Sequence, residues 1–374
     1  MTGVPAGYRG AAAVTAALAE LAGQGARVAP AGRTVRGADV VAVEVGPADA
    51  PATAILAGLH PIEWIGVEVA LALLARLVAA PPRDRRIVAL PWINVDGYVD
   101  VEADLIAGRR RWRRGNLGAD GRGVDLNRNF PVDFRVGRRL PTGWNYGGPA
   151  PLSEPETAAV AARLRGAGVD RAVSLHSFGN KILTPWGGRW RRPERHAALT
   201  AAAHAVAARM PEPYDVVQSS RWVPGAFGHG MELDWLHGEL GALALLVECT
   251  GGGARGATPR ALLSPFTWFN PPAPAARADA IARSRARSSR SCAARAGSGV
   301  ARAVGRPRAA GPGPAARVGI LRRLRHPRGD ESAGVGGGVS GDAVSCSYEP
   351  AAELAGGGPP HARVTRAGVT SHPP

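Results

Sequence analysis

The sequence has few cysteines, a single lysine and no long apolar run. Its three Cys include no pair in a C-x-x-C spacing, so neither a disulfide framework nor a cysteine-based metal site is expected. No stretch of about 18 apolar residues occurs, so no membrane-spanning helix is expected. The first residues also lack the basic start and uninterrupted apolar core of a secretory signal. We therefore expect a cytoplasmic protein that has no membrane partner.

Aromatic residues are absent from the last part of the chain, apart from one Tyr. All nine Trp and all six Phe lie at or before Phe269. Residues 271–374 carry 16 Arg against 6 acidic residues, so they hold +10 of the formal net charge of +16. A segment with so few large apolar side chains has little to bury. We predict one folded domain over residues 1–270 and a disordered, low-complexity basic tail over residues 271–374.

Three interpretations of this tail stay open. The first is a disordered segment without a partner, and the second is the translation of a GC-rich stretch of gene. The third is a basic arm that binds nucleic acid or an anionic surface. The tail has no interleaved aromatic residues and no recognisable nucleic-acid-binding fold. Nucleic acid is therefore not the expected partner.

Short apolar strands alternate with helices over most of the first 270 residues. Strands are predicted at 40–45, 53–59, 86–92, 171–175 and 242–247, and helices near 10–23, at 63–80 and from 153 to about 164. Ser153-Glu-Pro-Glu156, at the start of the last helix, has the form of a capping box. Residues 107–150 have little periodicity and are predicted to be irregular. The alternation predicts a single α/β domain with a mostly parallel mixed sheet flanked by helices.

Three of the predicted strands end in a polar side chain that can do chemistry. His60, His176 and Glu248 stand at these ends, and Glu63 follows His60 by three residues. Ligands of parallel sheets bind beyond the carboxyl ends of the strands. Two His and one Glu are a common ligand set of zinc hydrolases that keep an open coordination position. Each of these residues also has a structural explanation when taken alone, as a hydrogen-bonded core His or as a carboxylate at a helix N-terminus.

Further motifs make the chain resemble the carboxypeptidase A-type zinc metallocarboxypeptidases. The matching pieces are GLHPIEW at 58–64, INVDG at 93–97, GVDLNRNFP at 123–131, SEPE at 153–156, LHS at 175–177, and Asp234-Trp235 followed by Glu248. They occur in the family's order over roughly residues 50–250. The DLNRNF stretch with the downstream His-Ser is specific, whereas an H-x-x-E alone is not.

The resemblance implies a role for each of these residues. His60, Glu63 and His176 would hold one Zn²⁺ per chain. Glu248 would be the general base that takes a proton from the zinc-bound water and passes it to the leaving amine.

The resemblance also implies how a substrate is held. Asn127 and Arg128 would bind the terminal carboxylate of a peptide substrate, for which the planar guanidinium is well shaped. An arginine of the run 109–114 would stabilise the oxyanion, with Arg114 favoured and Arg113 as the alternative. The enzyme would then remove a C-terminal residue from a peptide or a cell-wall-type peptide.

Two positions depart from the family pattern. Residues 219–233 contain no Tyr where the family has a substrate-covering one, so Trp222, Phe227 or His229 would have to take that place. Leu233 stands before Asp234, at a position that helps to choose the accepted side chain, and disfavours a preference for basic residues.

Other functions compatible with the sequence are kept as alternatives. An aspartoacylase-like N-acyl amino acid deacylase also presents an Asn-Arg pair to a carboxylate, although the long 107–150 insert fits a carboxypeptidase better. An inactive binding protein with the same fold is disfavoured because all the core positions are filled. A nucleic-acid-binding protein that acts through the basic tail would show affinity that falls steeply with salt.

Overall fold

The computed structural model describes residues 3–117, 123–137, 145–252 and 264–283, in which helices and strands alternate. The helices are α1 (Ala11–Gly23), α2 (Trp64–Ala79), α3 (Val95–Ile106), α4 (Pro155–Leu164), α5 (His196–Ala207), α6 (Ser219–Trp222), α7 (Glu232–Gly238), α8 (Pro265–Phe269) and α9 (274–283). The strands are β1 (Arg27–Arg33), β2 (Asp39–Val45), β3 (Ala52–Ala57), β4 (Arg86–Leu90), β5 (Val169–His176), β6 (Lys181–Thr184), β7 (Asp215–Gln218) and β8 (Leu243–Glu248).

The strands form one mixed sheet in the order β1-β2-β4-β3-β5-β8-β6-β7. The four central strands β4, β3, β5 and β8 run parallel to one another, whereas β2 and β6 join them antiparallel. Central strands that are covered on both faces read as nearly continuous apolar runs. In β3, for example, every residue except Thr53 is buried. The predicted fold class, an α/β domain with one mostly parallel mixed sheet, is confirmed.

Helices pack on both faces of this sheet. On one face, α1, α2 and α9 contribute Leu18, Leu74 and Ile281 to a common hydrophobic cluster. On the other face, α4 and α7 contribute Val160 and Leu236 to a second cluster. Because β3, β5 and β8 are parallel neighbours, their carboxyl ends lie at one edge of the sheet. This edge is where the residues that follow or end these strands meet.

The SEPE stretch opens α4, but it does not form the predicted capping box. The N-cap residue is Glu154, and no side chain makes a cap hydrogen bond there. Ser153 Oγ donates to Glu154 Oε1, while the Glu156 carboxylate accepts hydrogen bonds from Val35 N and Asn116 Nδ2. The prediction is wrong because these partners engage the two side chains that a capping box would pair.

The folded part extends past the predicted boundary at residue 270. Helix α9 buries Ala278, Ile281 and Ala282 in the hydrophobic cluster that also contains residues of α1 and α2. Tyr8 Oη also donates a hydrogen bond to Pro271 O. The predicted boundary is therefore too early for residues 271–283, because Ile281 and two alanines pack a helix into the cluster although the segment has no Trp or Phe. Residues 284–374 lie outside the described residues, and the disorder of the tail stays a prediction.

The sequence prediction leaves out three strands and six helices of the described residues, namely β1, β6 and β7 and α3 and α5 to α9. Strand β1 is an edge strand with an alternation too weak to detect, since most of its side chains are exposed or half-buried. Helix α3 begins inside the INVDG motif, for which no element was predicted after the strand at 86–92. In the predicted irregular stretch 107–150, the described residues contain one short 3₁₀ helix, Leu126–Arg128. Across the described chain, none of the helices combines the length and apolarity that crossing a membrane would need.

Candidate active site and metal centre

Two imidazoles and a carboxylate meet at the edge of the sheet where β3, β5 and β8 end. His60 Nδ1 lies 2.8 Å from Glu63 Oε1, and His176 Nδ1 lies 3.0 Å from Glu63 Oε2 and 3.1 Å from His60 Nδ1. All three side chains are buried, and one donor atom of each lies within 4.8 Å of the others. Two imidazole nitrogens and a carboxylate oxygen fit a zinc ion that keeps a coordination position open.

The loop that carries His60 and Glu63 is held in place by the start of α3. Asn94 Oδ1 accepts a hydrogen bond from Gly97 N at 3.0 Å, which caps the helix. Asn94 Nδ2 donates to Leu59 O at 3.1 Å. The INVDG motif therefore has a structural reason, because its Asn fixes the backbone directly before His60.

Glu63 reaches His176 because α2 begins unusually close to β5. Gly66 lies in the first turn of α2, and a Cβ built there would lie 2.7 Å from Leu175 O. Only a residue without a Cβ allows this approach without a displacement. Ser177 N also donates to Glu63 Oε2 at 3.1 Å, so the backbone after β5 holds the carboxylate.

Each imidazole is held from its far side by a carboxylate that the sequence reasoning missed. His60 Nε2 lies 3.2 Å from Asp125 Oδ1, and His176 Nε2 lies 2.9 Å from Glu232 Oε1. Both Nδ1 atoms face the cluster, so the Nε2 atoms are the ones that can donate hydrogen bonds to these carboxylates, and such bonds orient the rings. Asp125 lies inside the GVDLNRNFP motif, so its position there was a usable signal. No pattern in the sequence singles out Glu232.

Burial and charge act in opposite directions on the pKa values of this cluster. Burial alone would raise the pKa of Glu63, but the charge of His60 and hydrogen bonds with both imidazoles hold it well below its ordinary value. Burial alone would lower the pKa of His176, but Glu232 and Glu63 raise it to about 10. The surroundings therefore stabilise positive charge at the centre of the cluster, as a cation site requires.

Glu248 ends β8 directly beside His176, its register partner on β5. The side chain is buried, and its Oε2 makes no hydrogen bond within the described part of the chain. Burial, together with the negative charge of Glu63, raises the pKa of Glu248 to about 8. A buried carboxylate oxygen without a partner is costly, and it is typical of a group that handles protons at a functional site.

Arg114 is the arginine of the 109–114 run that turns toward Glu63 and Asp125. Its Nε donates to Asp125 Oδ2 at 2.6 Å, and its Nη1 lies 3.9 Å from Glu63 Oε1. The alternative, Arg113, is instead paired with two carboxylates of α3, those of Asp100 and Asp104. The geometry therefore favours Arg114 over Arg113 as the cation beside the reacting groups.

Asn127 and Arg128 lie in the short 3₁₀ helix that follows Asp125. Asp125 Oδ1 accepts a hydrogen bond from Asn127 N at 3.1 Å, which fixes the start of this turn. Asn127 Oδ1 accepts from Glu232 N at 3.3 Å, so its Nδ2 is the group that can donate to a ligand. Burial lowers the pKa of Arg128, and the charge of Asp125 opposes this effect. Both donors thus lie next to the carboxylate that orients His60.

Three aromatic residues of the 219–230 segment were expected to replace the Tyr of the family pattern. A Cβ built on Gly179 would lie 2.8 Å from the Trp222 ring and 3.8 Å from Glu248 Cβ. Phe227 is 42% exposed and stacks on His229 with ring centroids 6.0 Å apart. The Trp222 ring and the Glu248 side chain thus both approach Gly179, whereas Phe227 and His229 form a more exposed stack.

The position expected to help choose the substrate side chain is fully buried. Leu233 packs within the hydrophobic cluster under α7. The next residue, Asp234, accepts hydrogen bonds from Gly187 N and Gly188 N, and burial raises its pKa to about 7. Asp234 thus anchors α7 to the loop after β6.

Comparison with known proteins places this chain in a family. The family model described as zinc carboxypeptidase matches residues 12–275. Mast cell carboxypeptidase A of Mus musculus is 26% identical over 230 residues, which are 55% of this chain and 53% of that protein. Carboxypeptidase B of Homo sapiens is 28% identical over 192 residues, which are 46% of this chain and 45% of that protein. The chain thus spans about half the length of these curated relatives.

Solved structures show the same fold. The crystal structure of the carboxypeptidase A from Helicoverpa armigera superposes with a TM-score of 0.63 at 20% sequence identity. The superposition covers 77% of this chain and 75% of that one. At this identity the likeness establishes the fold alone.

Proposed function

The chain belongs to the zinc carboxypeptidase family, and we propose that it is a zinc-dependent hydrolase that removes the C-terminal residue from a peptide or a cell-wall-type peptide. One observation carries the proposal. The cluster of His60, Glu63 and His176 lies beside Glu248, a buried carboxylate whose Oε2 makes no hydrogen bond within the described residues. A metal-binding group and a group that can take a proton therefore lie together at one sheet edge.

Zinc bound by these three side chains would act as a Lewis acid on the scissile carbonyl and would lower the pKa of a water molecule. Asp125 and Glu232 accept hydrogen bonds at Nε2 of the two imidazoles, which leaves the Nδ1 atoms directed at the cluster, where a cation would replace any proton held there. This division of roles is possible because each ring has one nitrogen inside the cluster and one outside it.

Glu248 moves the proton in this proposal. Its carboxylate takes a proton from the attacking water, whose oxygen forms the new bond to the carbonyl carbon. The same carboxyl group then gives the proton to the nitrogen of the amine that leaves when the C–N bond breaks. Arg114 can donate hydrogen bonds to the carbonyl oxygen as negative charge develops on it.

Asn127 and Arg128 hold the end of the substrate. The Asn127 amide and the Arg128 guanidinium both donate hydrogen bonds, and a carboxylate is the group that such a pair binds best. Binding at this place sets the distance between the last residue of the peptide and the reacting groups. The enzyme would then act one residue from a free C-terminus.

The deacylase alternative receives no support, because the family model and the relatives are those of carboxypeptidases. The substrate side chain and the choice between a peptide and a cell-wall-type peptide stay part of the proposal. The partner that it implies is a peptide with a free carboxylate.

The experiment compares peptides with free and amidated C-termini. The zinc-loaded parent should cleave the free acid and cleave the amide at least about 100-fold more slowly, since the clamp lacks its charged partner. Arg128→Ala should lose about 100-fold in kcat/KM on the free acid and scarcely change on the amide. Arg33→Ala, on the edge strand β1, is the control and should behave as the parent. Equal cleavage of both peptides by the parent would overturn the exopeptidase proposal.

A further inference from the structure

A single arginine of α9 contacts the two loops that follow the strands of the site. Arg277 Nε donates to Cys249 O at 3.0 Å, and its Nη2 donates to Asn180 Oδ1 at 2.9 Å. The same Nη2 lies 3.1 Å from Tyr214 Oη and pairs with the carboxylate of Glu212. The Arg277 side chain is only 16% exposed, so these contacts are made in a largely water-excluded position.

The contacted residues follow directly after the groups that carry the chemistry. Cys249 is the next residue after Glu248, and its N–H donates to His176 O at 2.8 Å. Asn180 belongs to the loop that follows His176 at the end of β5. Arg277 therefore holds the backbone after β8 with one nitrogen and the loop after β5 with another.

The two loops are also joined to each other at the same place. The backbone N–H groups of Gly179 and Asn180 donate to Thr250 O at 2.6 and 3.0 Å. These bonds, together with those from Arg277, form a small closed network between the two strand ends. A displacement of either loop would break several of these bonds at once.

A second side chain of the C-terminal segment holds the third loop of the site. Asn270 Oδ1 accepts a hydrogen bond from Ile65 N at 3.0 Å, and its Nδ2 donates to Ile62 O at 2.8 Å. These two backbone groups lie on either side of Glu63. The segment 264–283 thus contacts all three loops that carry the metal-binding residues and Glu248.

We propose that Arg277 is a positioning residue of the active site, which holds the loops after β5 and β8 together and thereby fixes the Glu248 carboxylate relative to His176. The expected effect on kcat rests on the proposed function, whereas the expected effect on the loops does not. Arg277 touches neither substrate nor metal, and it acts through the backbone of Cys249 and through Asn180.

The experiment pairs Arg277→Met with a control in the same helix interface. Arg76 of α2 forms an ion pair with Asp279 of α9 at 3.0 Å, so Arg76→Met also weakens the docking of α9 but touches neither loop. Arg277→Lys keeps the charge, and Tyr214→Phe removes one hydroxyl that contacts Arg277. The parent and these variants are compared by kcat and KM, by equilibrium zinc affinity and by amide hydrogen exchange.

Arg277→Met should lower kcat by about 10- to 100-fold with KM changed less than about threefold, since a displacement near 1 Å at the reacting groups costs this much. Zinc affinity should stay within about threefold, because zinc is not contacted. The amides of Gly179, Asn180 and Cys249 should exchange at least about tenfold faster.

The comparison variants should show smaller effects. Arg277→Lys should recover part of kcat, and Tyr214→Phe should lose about threefold in kcat. Arg76→Met should change neither kcat nor the exchange of these amides.

Two results would overturn the proposal. One is equal loss of kcat in Arg76→Met and Arg277→Met, which would mean that only helix docking matters. The other is unchanged exchange of the three amides in Arg277→Met. If Arg277→Met does not fold, the same comparison is made with Arg277→Lys and Tyr214→Phe. A parent that cleaves no peptide would refute the proposed function, and the positioning of the loops would then be decided by the exchange data alone.

Discussion

Glu248 is the residue whose replacement separates chemistry from binding. Glu248→Gln keeps the shape of the side chain and the β8 backbone but cannot take a proton. Turnover should fall by at least about 10²–10⁴-fold, which is the usual contribution of general acid–base catalysis. Zinc content and substrate affinity, measured by metal analysis and by equilibrium binding, should stay close to those of the parent. A variant that keeps its turnover would show that another group handles the proton.

Zinc binding should release protons at neutral pH. Burial and the charge of Glu63 raise the pKa of Glu248 to about 8, and Glu232 and Glu63 raise that of His176 to about 10, so both groups are protonated in the metal-free protein at pH 7. A dication expels the His176 proton and favours ionised Glu248, so one to two protons should be released. Glu248→Gln should release about one fewer, as measured by calorimetry in buffers of different ionisation enthalpy.

The pH dependence of this release follows from the same two groups. As pH rises through about 8, Glu248 loses its proton before zinc arrives, so the release should decline toward one. As pH falls, protons compete with zinc, and affinity should decrease by at least about tenfold per unit. A release that stays the same from pH 6 to pH 9 would contradict the assignment of these protons.

Among the elements, α2 has the tightest constraint at the site. Gly66→Ala would place a methyl group 2.7 Å from Leu175 O, so the start of α2 must move away from β5. Although Gly→Ala usually stabilises a helix, we expect a loss of about 1–3 kcal/mol here from overpacking. Zinc affinity should fall as well, because Glu63 moves away from His176.

Gly23→Ala is the matched control, since Gly23 ends α1 and a Cβ there would meet nothing within 4 Å. This variant should be neutral or more stable by up to about 1 kcal/mol. Denaturant unfolding and zinc titration of both variants provide the measurement. Equal stability changes in the two variants would show that the contact between α2 and β5 can relax.

At the scale of the whole molecule, α9 determines how far the chain can be shortened from its C-terminus before stability is lost. A chain that ends at residue 283 should fold with the stability of the full chain. One that ends at residue 270 exposes the cluster that Ile281 and its two neighbouring alanines cover, which costs on the order of 3 kcal/mol. Its melting temperature should be lower by roughly 5–10 °C. Equal melting temperatures would show that α9 adds no stability.

Much of the site was accessible from the sequence because motifs are local. His60 and Glu63 are three residues apart, and their spacing and the strand before them predict a shared position. His176 and Glu248 are recognised in the same way, as polar ends of apolar strands whose carboxyl ends a parallel sheet must bring together. The order of strands and helices along the chain likewise predicts the α/β class.

The sequence by itself therefore determined the fold class and predicted both the residues proposed to bind zinc and the carboxylate proposed to move the proton, since each depends on periodicity or on short spacings. Only the tertiary structure decided which arginine of the 109–114 run faces the site and which carboxylates orient the imidazoles. It also decided that Arg277, more than a hundred residues beyond His176, joins two strand ends. Such contacts join residues that are distant in sequence, and burial and hydrogen bonding select the partner only after the chain has folded.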